Sequence, residues 1–300
     1  MIRLAVHGAK SRWQALTARL RGGSINGSLD TCDLPLSPDS YDAVLWIAPT
    51  QQETALIERA LAQGKHVLIA SATELSPTKL VLLAAAAKRA GVQLGIVNPD
   101  RFLPSRQLLR QQLEAGKLGQ AGLIRMYRWE AAAARSLSGT PPAVPSPLVL
   151  DLDLAIWLMG MTPHVVYATQ ARRLPQGTDR EPMIQVHLGF PNGSMALLGY
   201  SSSLPPGDDY RSLSVMGSAG AAYADDHQNM QLIYRGQHPQ ALRAEEGIRP
   251  LVNLTQDFIE ALQSSRDLSS SIADWSRLVS VTRAVAESLL SRQAISMEGS

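Results

Sequence analysis

Apolar residues recur along the first hundred positions in two alternating rhythms. Ile2 to Val6 is a compact apolar run broken by Gly8, and Trp13, Leu16 and Leu20 follow at helical spacing, so the chain opens as strand, turn, helix. A Gly-rich interval (Gly22, Gly23, Gly27) leads to a second strand, Tyr41 to Ala48. Thr50-Gln51-Gln52-Glu53 has the spacing of a capping box, in which a hydroxyl and a carboxylate satisfy the free amides of a helix start. The helix it opens carries Leu56, Ala60 and Leu61 at core spacing and stops at Gly64. His66 to Ala70 is the next strand. Ser76-Pro77 then opens a helix with Leu80, Leu83 and Ala87 on one side, ended by Gly91 ahead of a strand from Val92 to Val97. Strands separated by helices of this length predict a doubly wound parallel sheet.

The rhythm changes after Arg101. Ser105 to Leu113 reads as a helix, Gly122 to Glu130 alternates as a strand does, and SLSGTPPAVPSP (136–147) is a Pro/Ser-rich loop. Leu150 to Met159 is a short helix. Strands follow at Val165 to Arg172, Met183 to Phe190 and Ser194 to Ser201, the last two joined by Pro191-Asn192-Gly193, a strong hairpin signal. Ser212 to Met216 continues the sheet, Gly217-Ser218-Ala219-Gly220 turns it, and Ala221 to Ala224 returns. Two amphipathic helices close the chain, one with Leu251, Leu254, Phe258 and Leu262, the other with Trp275, Leu278, Val281, Val285 and Leu289. The predicted class is α/β. A shortened, Rossmann-like doubly wound parallel sheet (1–100) precedes an α+β domain with a mainly antiparallel open sheet (101–300). The sheet is shortened because Val6 to Asp42 is too little chain for two further strands and their helices, one crossover already taking about thirty residues.

Composition narrows the function classes. The 300 residues are 45% hydrophobic and 18% charged, an ordinary globular balance with no apolar run long enough to span a bilayer, so no membrane partner is expected. MIRLAVHGAK reads as a first strand rather than an export signal, which sets a cytoplasmic location as the expectation. A net charge of +2 from scattered basic residues argues against a nucleic-acid partner, and Arg172-Arg173 reads as a solvated pair. A single cysteine, Cys32, excludes an internal disulfide and a thiolate cluster. The histidines show no metal-ligand spacing, and Asp225-Asp226-His227 reads better as a solvated turn. No Gly-x-Ser-x-Gly elbow supplies a hydrolase nucleophile. Trp129, Tyr127 and Trp157 read as ordinary core.

The succession DAVLWIAPTQQETALIERALAQGKHVLIASATELSPTKLVLLAAAAKRAGVQLGIVNPDRFLP resembles the Gfo/Idh/MocA family, the relatives of glucose-fructose oxidoreductase and inositol dehydrogenase. ALAQGKHVL (60–68) is similar to the family's A-x-x-A-G-K-H-V-L, and Arg101-Phe102-Leu103-Pro104 to its R-R-F-x-P. LDLDLAIWLMG (150–160) resembles H-D-x-D-x-x-x-W-L-x-G, and LTQDFIEALQSSRD the late D-F-x-x-A-I helix. The resemblance implies a Rossmann domain binding NAD or NADP, a small-molecule ligand such as a sugar or polyol, and a homo-oligomer formed through the C-terminal sheet. The cofactor candidates it implies are Gly8, Lys10, Ser11, Ala48, Pro49 and Thr50.

The chain departs from the family where the chemistry lies. The alignment sets Ala70 at the usual glutamate, Ser71 at the lysine whose ammonium polarises the reacting oxygen, and Ala72 at the proline. Leu150 stands at the acid/base histidine, while Asp151, Asp153 and Trp157 are kept. Glu53 stands where many relatives have histidine, and its capping spacing is the better reading. Of G-x-G-x-x-G only Gly8 survives in Gly8-Ala9-Lys10-Ser11-Arg12-Trp13, with Lys10 and Arg12 able to neutralise a phosphate. Asp30 or Asp33 could serve as the ribose-binding acid, although a solvated loop position is the commoner role. Two readings follow. One is a redox-inactive or atypical homologue, a scaffold or ligand-sensing subunit. The other is an active NAD(P)-dependent dehydrogenase or reductase using Ser71, Asp151, Asp153 and Arg101, with Tyr200 or Tyr210, around its substrate.

Overall fold

The computed structural model describes residues 2–8, 27–31, 41–131, 143–171, 183–204, 209–225, 230–234, 239–243 and 249–297. In chain order the elements are β1 (Ile2–His7), β2 (Gly27–Thr31), β3 (Ala43–Ile47), α1 (Thr54–Ala62), β4 (His66–Ala70), α2 (Pro77–Ala90), β5 (Leu94–Val97), α3 (Pro104–Glu114), β6 (Ala121–Ala131) and α4 (Ser146–Met159). There follow β7 (Val165–Gln170), β8 (Ile184–Gly189), β9 (Met195–Leu204), β10 (Tyr210–Gly217), β11 (Gly220–Asp225), β12 (Met230–Tyr234), β13 (Pro239–Arg243), α5 (Arg249–Gln263), α6 (Ser269–Ser291) and β14 (Ile295–Ser296). They form two compact units: residues 1–103 with 246–276, and residues 104–245 with 277–300.

The first unit is a parallel sheet of order β2-β1-β3-β4-β5. Its central strands AVLWI and HVLIA are apolar on both faces because the sheet is covered on both, the usual state of parallel strands. Helix α2 begins where the sequence placed it: Ser76 Oγ accepts the Lys79 amide at 3.4 Å, Pro77 takes a first-turn position that needs no amide, and Gly91 ends the helix at φ +66°. On one sheet face Leu4, Val6, Leu45, Ile47 and Leu68 pack against Leu254, Phe258 and Ile259 of α5 and against Leu268. Residues 246–276, assigned from sequence to the second domain, therefore complete the core of the first unit. At the amino end Arg3 grips Asp42 at 2.7 Å, and that hydrogen-bonded guanidinium holds the Asp42 carboxyl down at about 2.

The second unit is a sheet of order β13-β12-β11-β10-β6-β9-β8-β7-β14, antiparallel throughout except where β6 runs parallel to β9. In β6 the residues of one parity, Ile124, Met126 and Arg128, are buried, while Arg125, Tyr127 and Trp129 are half-buried. Tyr127, Trp129 and Trp157 are thus not core, contrary to the sequence reading; alternation puts the first two on the more open face. Gly193 turns the β8–β9 hairpin at φ +82°, and Asn192 Oδ1 accepts the Ser194 amide at 3.1 Å. Helix α4 starts at Ser146, earlier than the motif at Leu150 suggested. The first expected helix around Trp13, together with Lys10, Ser11, Cys32, Asp33, part of the Pro/Ser loop, Arg172-Arg173, Asp226, His227 and His238, lies outside the described residues. Among the described residues no helix is long and apolar enough to cross a membrane, and no group of His, Cys, Asp or Glu has metal-binding geometry.

Candidate functional site

Ligands of doubly wound sheets sit beyond the carboxyl ends of the strands. Here Gly8 follows β1, Ala48-Pro49-Thr50 follow β3, and Ser71 follows β4. Gly8 has φ +153°, and a Cβ there would lie 2.9 Å from Ile47 Cβ. The space a side chain would take is filled by β3, so packing inside the sheet already accounts for this glycine.

Ala48 and Ser71 are held in the left-handed region, at φ +49° and +68°. Their amides bond to the next strand, Ala48 N to Ala70 O and Ser71 N to Val97 O, each at 2.8 Å, and these bonds hold the strained conformations in place. A side chain in that region costs about 1–2 kcal/mol. Ser71→Gly and Ala48→Gly are each expected to raise stability by up to about 1 kcal/mol in denaturant melts, the strain relieved less the entropy glycine adds to the unfolded chain. A clear loss in either variant would show that the methyl or hydroxymethyl group makes contacts worth more than the strain.

The polar groups at this edge are already engaged with one another. Ser71 Oγ lies 3.4 Å from Thr73 Oγ1. The capping box forms: the Thr50 amide donates to Glu53 Oε2 at 2.7 Å and the Thr50 hydroxyl to the same oxygen at 2.9 Å. Glu53 Oε1 meets His7 Nε2 at 2.6 Å, and the His7 ring leans on Trp46 with centroids 5.3 Å apart. Burial works against the Glu53 charge, but the Thr50 donors and His7 outweigh it and hold the carboxyl below its usual range. A dinucleotide would look to such donors for its pyrophosphate. The chain's own carboxylate occupies the Thr50 donors, and Ser71 offers no charge to the reacting end of that cofactor; of the turn after β1, where a pyrophosphate sits in doubly wound folds, only the start at Gly8 is among the described residues. Arg101 stands in the turn after β5, and its Nη1 donates to Asp274 Oδ2 at 2.9 Å.

In the second unit α4 carries Leu150, Asp151, Asp153 and Trp157. Asp151 is 4% exposed, and both its oxygens are taken by Arg128, Nε to Oδ2 at 2.8 Å and Nη2 to Oδ1 at 2.6 Å. Asp153 is buried as well. The carboxyl end of α4 is clamped by Arg110, which donates to the Trp157 carbonyl at 2.5 Å and lies 5.5 Å from the indole. Beside Asp151, Arg128 Nη1 reaches Glu130 Oε1 at 3.5 Å, and Arg211 Nη2 reaches the same oxygen at 3.4 Å. The Tyr200 hydroxyl is 3.5 Å from Glu130 Oε2. Sequence reasoning missed Arg128, Glu130 and Arg211. The signal was present in AGLIRMYRWEA, where charges stand at 128 and 130 on the parity that Ile124 and Met126 mark as inward. It missed the His7–Glu53 pair too, because 46 positions separate the partners.

Residues 107–223 match the family model described as the GFO/IDH/MocA C-terminal domain. The chain is 25% identical over 289 residues to the rhizopine catabolism protein MocA of Rhizobium meliloti, across 93% of this chain and 85% of that protein. It is 22% identical over 216 residues to an inositol 2-dehydrogenase of Rhizobium meliloti (strain 1021), across 70% and 65%. An oxidoreductase of Agrobacterium radiobacter, solved in complex with NAD+, L-tartaric acid and magnesium, superposes with a TM-score of 0.76 over 98% of each chain at 16% identity, which shows a common fold. With residues 107–223 matched by the family's C-terminal-domain model and a likeness to MocA that runs nearly the full length, the chain resembles the Gfo/Idh/MocA oxidoreductases.

Proposed function

We propose that this chain is a ligand-binding homologue of the Gfo/Idh/MocA oxidoreductases that does not carry out their hydride transfer in its standard form. The observation that carries this reading is the carboxyl end of β4, where Ser71 and Thr73 set two hydroxyls 3.4 Å apart in the place the family gives to a lysine. Moving a hydride to or from an alcohol needs a group that exchanges the alcohol proton and a charge that polarises the oxygen. A serine hydroxyl brings no charge to polarise that oxygen, and Leu150 exchanges no proton. Asp151 survives from the motif, but it is committed to Arg128. Losing a positioned acid/base group typically costs about 10²–10⁴-fold in rate.

NAD or NADP affinity is weak on the same reading, because the turn after β1 keeps only Gly8 of the three glycines that let a chain approach a pyrophosphate. The test is a thermal melt with and without each dinucleotide at millimolar concentration. A ligand raises stability by RT ln(1 + [L]/Kd), so a site with no useful affinity leaves the midpoint unmoved. A reproducible rise with either dinucleotide, or polyol-dependent reduction of NAD+, would overturn the proposal in favour of an active dehydrogenase. MocA and the inositol dehydrogenase make that the alternative to beat.

A further inference from the structure

We infer that Asn192-Gly193, at the tip of the β8–β9 hairpin, is a latent modification site: when the turn opens Asn192 cyclises onto the Gly193 amide and becomes aspartate or isoaspartate, and the closed turn, with Ser194, holds it unreacted. The step needs only water and its hydroxide. The Gly193 nitrogen gives its proton to hydroxide and bonds to Asn192 Cγ; the Cγ–Nδ2 bond breaks and ammonia leaves. Water then opens the ring at either carbonyl, giving aspartate in the original backbone or isoaspartate with the chain rerouted through Cγ. Nothing is oxidised or reduced. Glycine suits the attack because it has no Cβ to crowd it. Both residues are exposed, and no atom lies within 4 Å of where a Cβ of Gly193 would stand.

The turn is what stands against the reaction. Phe190 to Gly193 is a β-turn closed by the Gly193 amide, which donates to the Phe190 carbonyl at 2.9 Å, and the Phe190 amide donates to the Ser194 carbonyl at 2.9 Å. Gly193 has φ +82° and Asn192 is not among the residues of positive φ, the pattern of a type I turn followed by a left-handed residue. Such a turn keeps ψ of its third residue, here Asn192, at about 0°, whereas the five-membered ring puts Cβ in the plane of the Asn192–Gly193 peptide, roughly a third of a turn away about the Cα–C bond. The nucleophile is engaged as well, since its N–H is the one given to Phe190. From the other side the carboxamide is held in place: Asn192 Oδ1 accepts the Ser194 amide at 3.1 Å and the Ser194 hydroxyl at 2.6 Å. Phe190 is 1% exposed and Ser194 6%, so packing anchors both ends of the turn. Isoaspartate would add a methylene to a backbone whose turn sets the register of β8 on β9. Either product brings a carboxylate to a cavity of about 420 Å³ whose lining, Asn192 included, carries no charged side chain.

This goes beyond the ligand-binding reading and stands whether or not that reading holds. The native chain and Ser194→Ala are incubated at mildly alkaline pH, in buffer and in guanidinium chloride, and aspartate and isoaspartate at position 192 are followed by peptide mass mapping. Asn26-Gly27, the chain's other Asn-Gly pair, shows in denaturant that the conditions support the reaction. Asn192 is expected to convert in denaturant at the rate of Asn26, and more slowly in buffer by a factor of about ten or more, the equivalent of the net hydrogen bonds lost on opening the turn. Ser194→Ala is expected to raise the rate in buffer about fivefold, one hydrogen bond fewer to break, and to leave the rate in denaturant unchanged. A serine that merely fills its buried place, or whose donors activate the carbonyl, would give an unchanged or a slower rate. Equal rates for Asn192 in buffer and denaturant, no conversion in denaturant where Asn26 converts, or a folded Ser194→Ala that reacts no faster than the native chain in buffer overturns the inference. The first two comparisons need no variant, so they decide even if Ser194→Ala fails to fold.

Discussion

Asp151→Ala is expected to destabilise the second unit by about 3–5 kcal/mol, because it takes from the buried Arg128 guanidinium its close two-point partner and leaves Glu130, at 3.5 Å, as a far looser one. Both side chains are 6% exposed, and water cannot replace the lost partner without opening the packing of α4 on the sheet. The favourable part of the pair is largely spent on its own desolvation. Replacing both partners together, as Arg128→Met with Asp151→Leu, is accordingly expected to cost far less than the single change, and double-mutant analysis of denaturant midpoints measures the difference. A single-variant cost below about 1 kcal/mol would show that the pair is hydrated and that Asp151 is open to other partners. The result bears directly on function. Asp151 is kept from the family motif, and the natural experiment is to mutate it and look for lost activity. With its carboxylate bound at both oxygens, such a loss would report a collapsed helix–sheet contact before it reported missing chemistry.

The parallel sheet was legible because its strands are short apolar bursts bounded by glycine, proline and capping residues. Thr50/Glu53, Ser76-Pro77 and Gly91 each mark an element end by local chemistry, and each end falls there. The Asn192-Gly193 hairpin was legible for the same reason. β2 was not: GSLDT holds poor strand formers, and pairing with β1 rather than propensity makes it a strand. β12 and β13 escaped because five-residue runs such as MQLIY and PQALR carry too few positions for a period of two to be told from 3.6. Of the candidate site, family likeness pointed to Ser71 and Leu150, whose side-chain chemistry is read from the sequence alone. What Asp151 and Glu53 do depends on partners at positions 128 and 7, and such distant pairings leave no local pattern.

The same limit explains the domain boundary, and it gives the second large effect. The sequence shows that Leu254, Phe258 and Leu262 line one side of a helix; it does not show what that side meets. In the structure Phe258 is 1% exposed among Leu4, Val6, Leu45, Leu68 and their neighbours, in the core of the first unit. Phe258→Ala is expected to cost about 3–5 kcal/mol, the transfer free energy of the ring together with the cavity left between α5 and a rigid parallel sheet. Hydrogen exchange distinguishes where that cost falls. Amides of β1, β3 and β4 are expected to lose protection first, with β6 and β9 holding theirs, because local opening follows the cooperative unit a side chain belongs to. Loss confined to the nine-stranded sheet would return α5 to the second domain, as its place in the chain suggests. Loss in the parallel sheet would mean that this sheet folds stably only with a helix from almost the far end of the chain, so a truncation after residue 103 would lack one side of its core and should not hold the strand ends that carry Ser71 and Ala48 in their strained conformations.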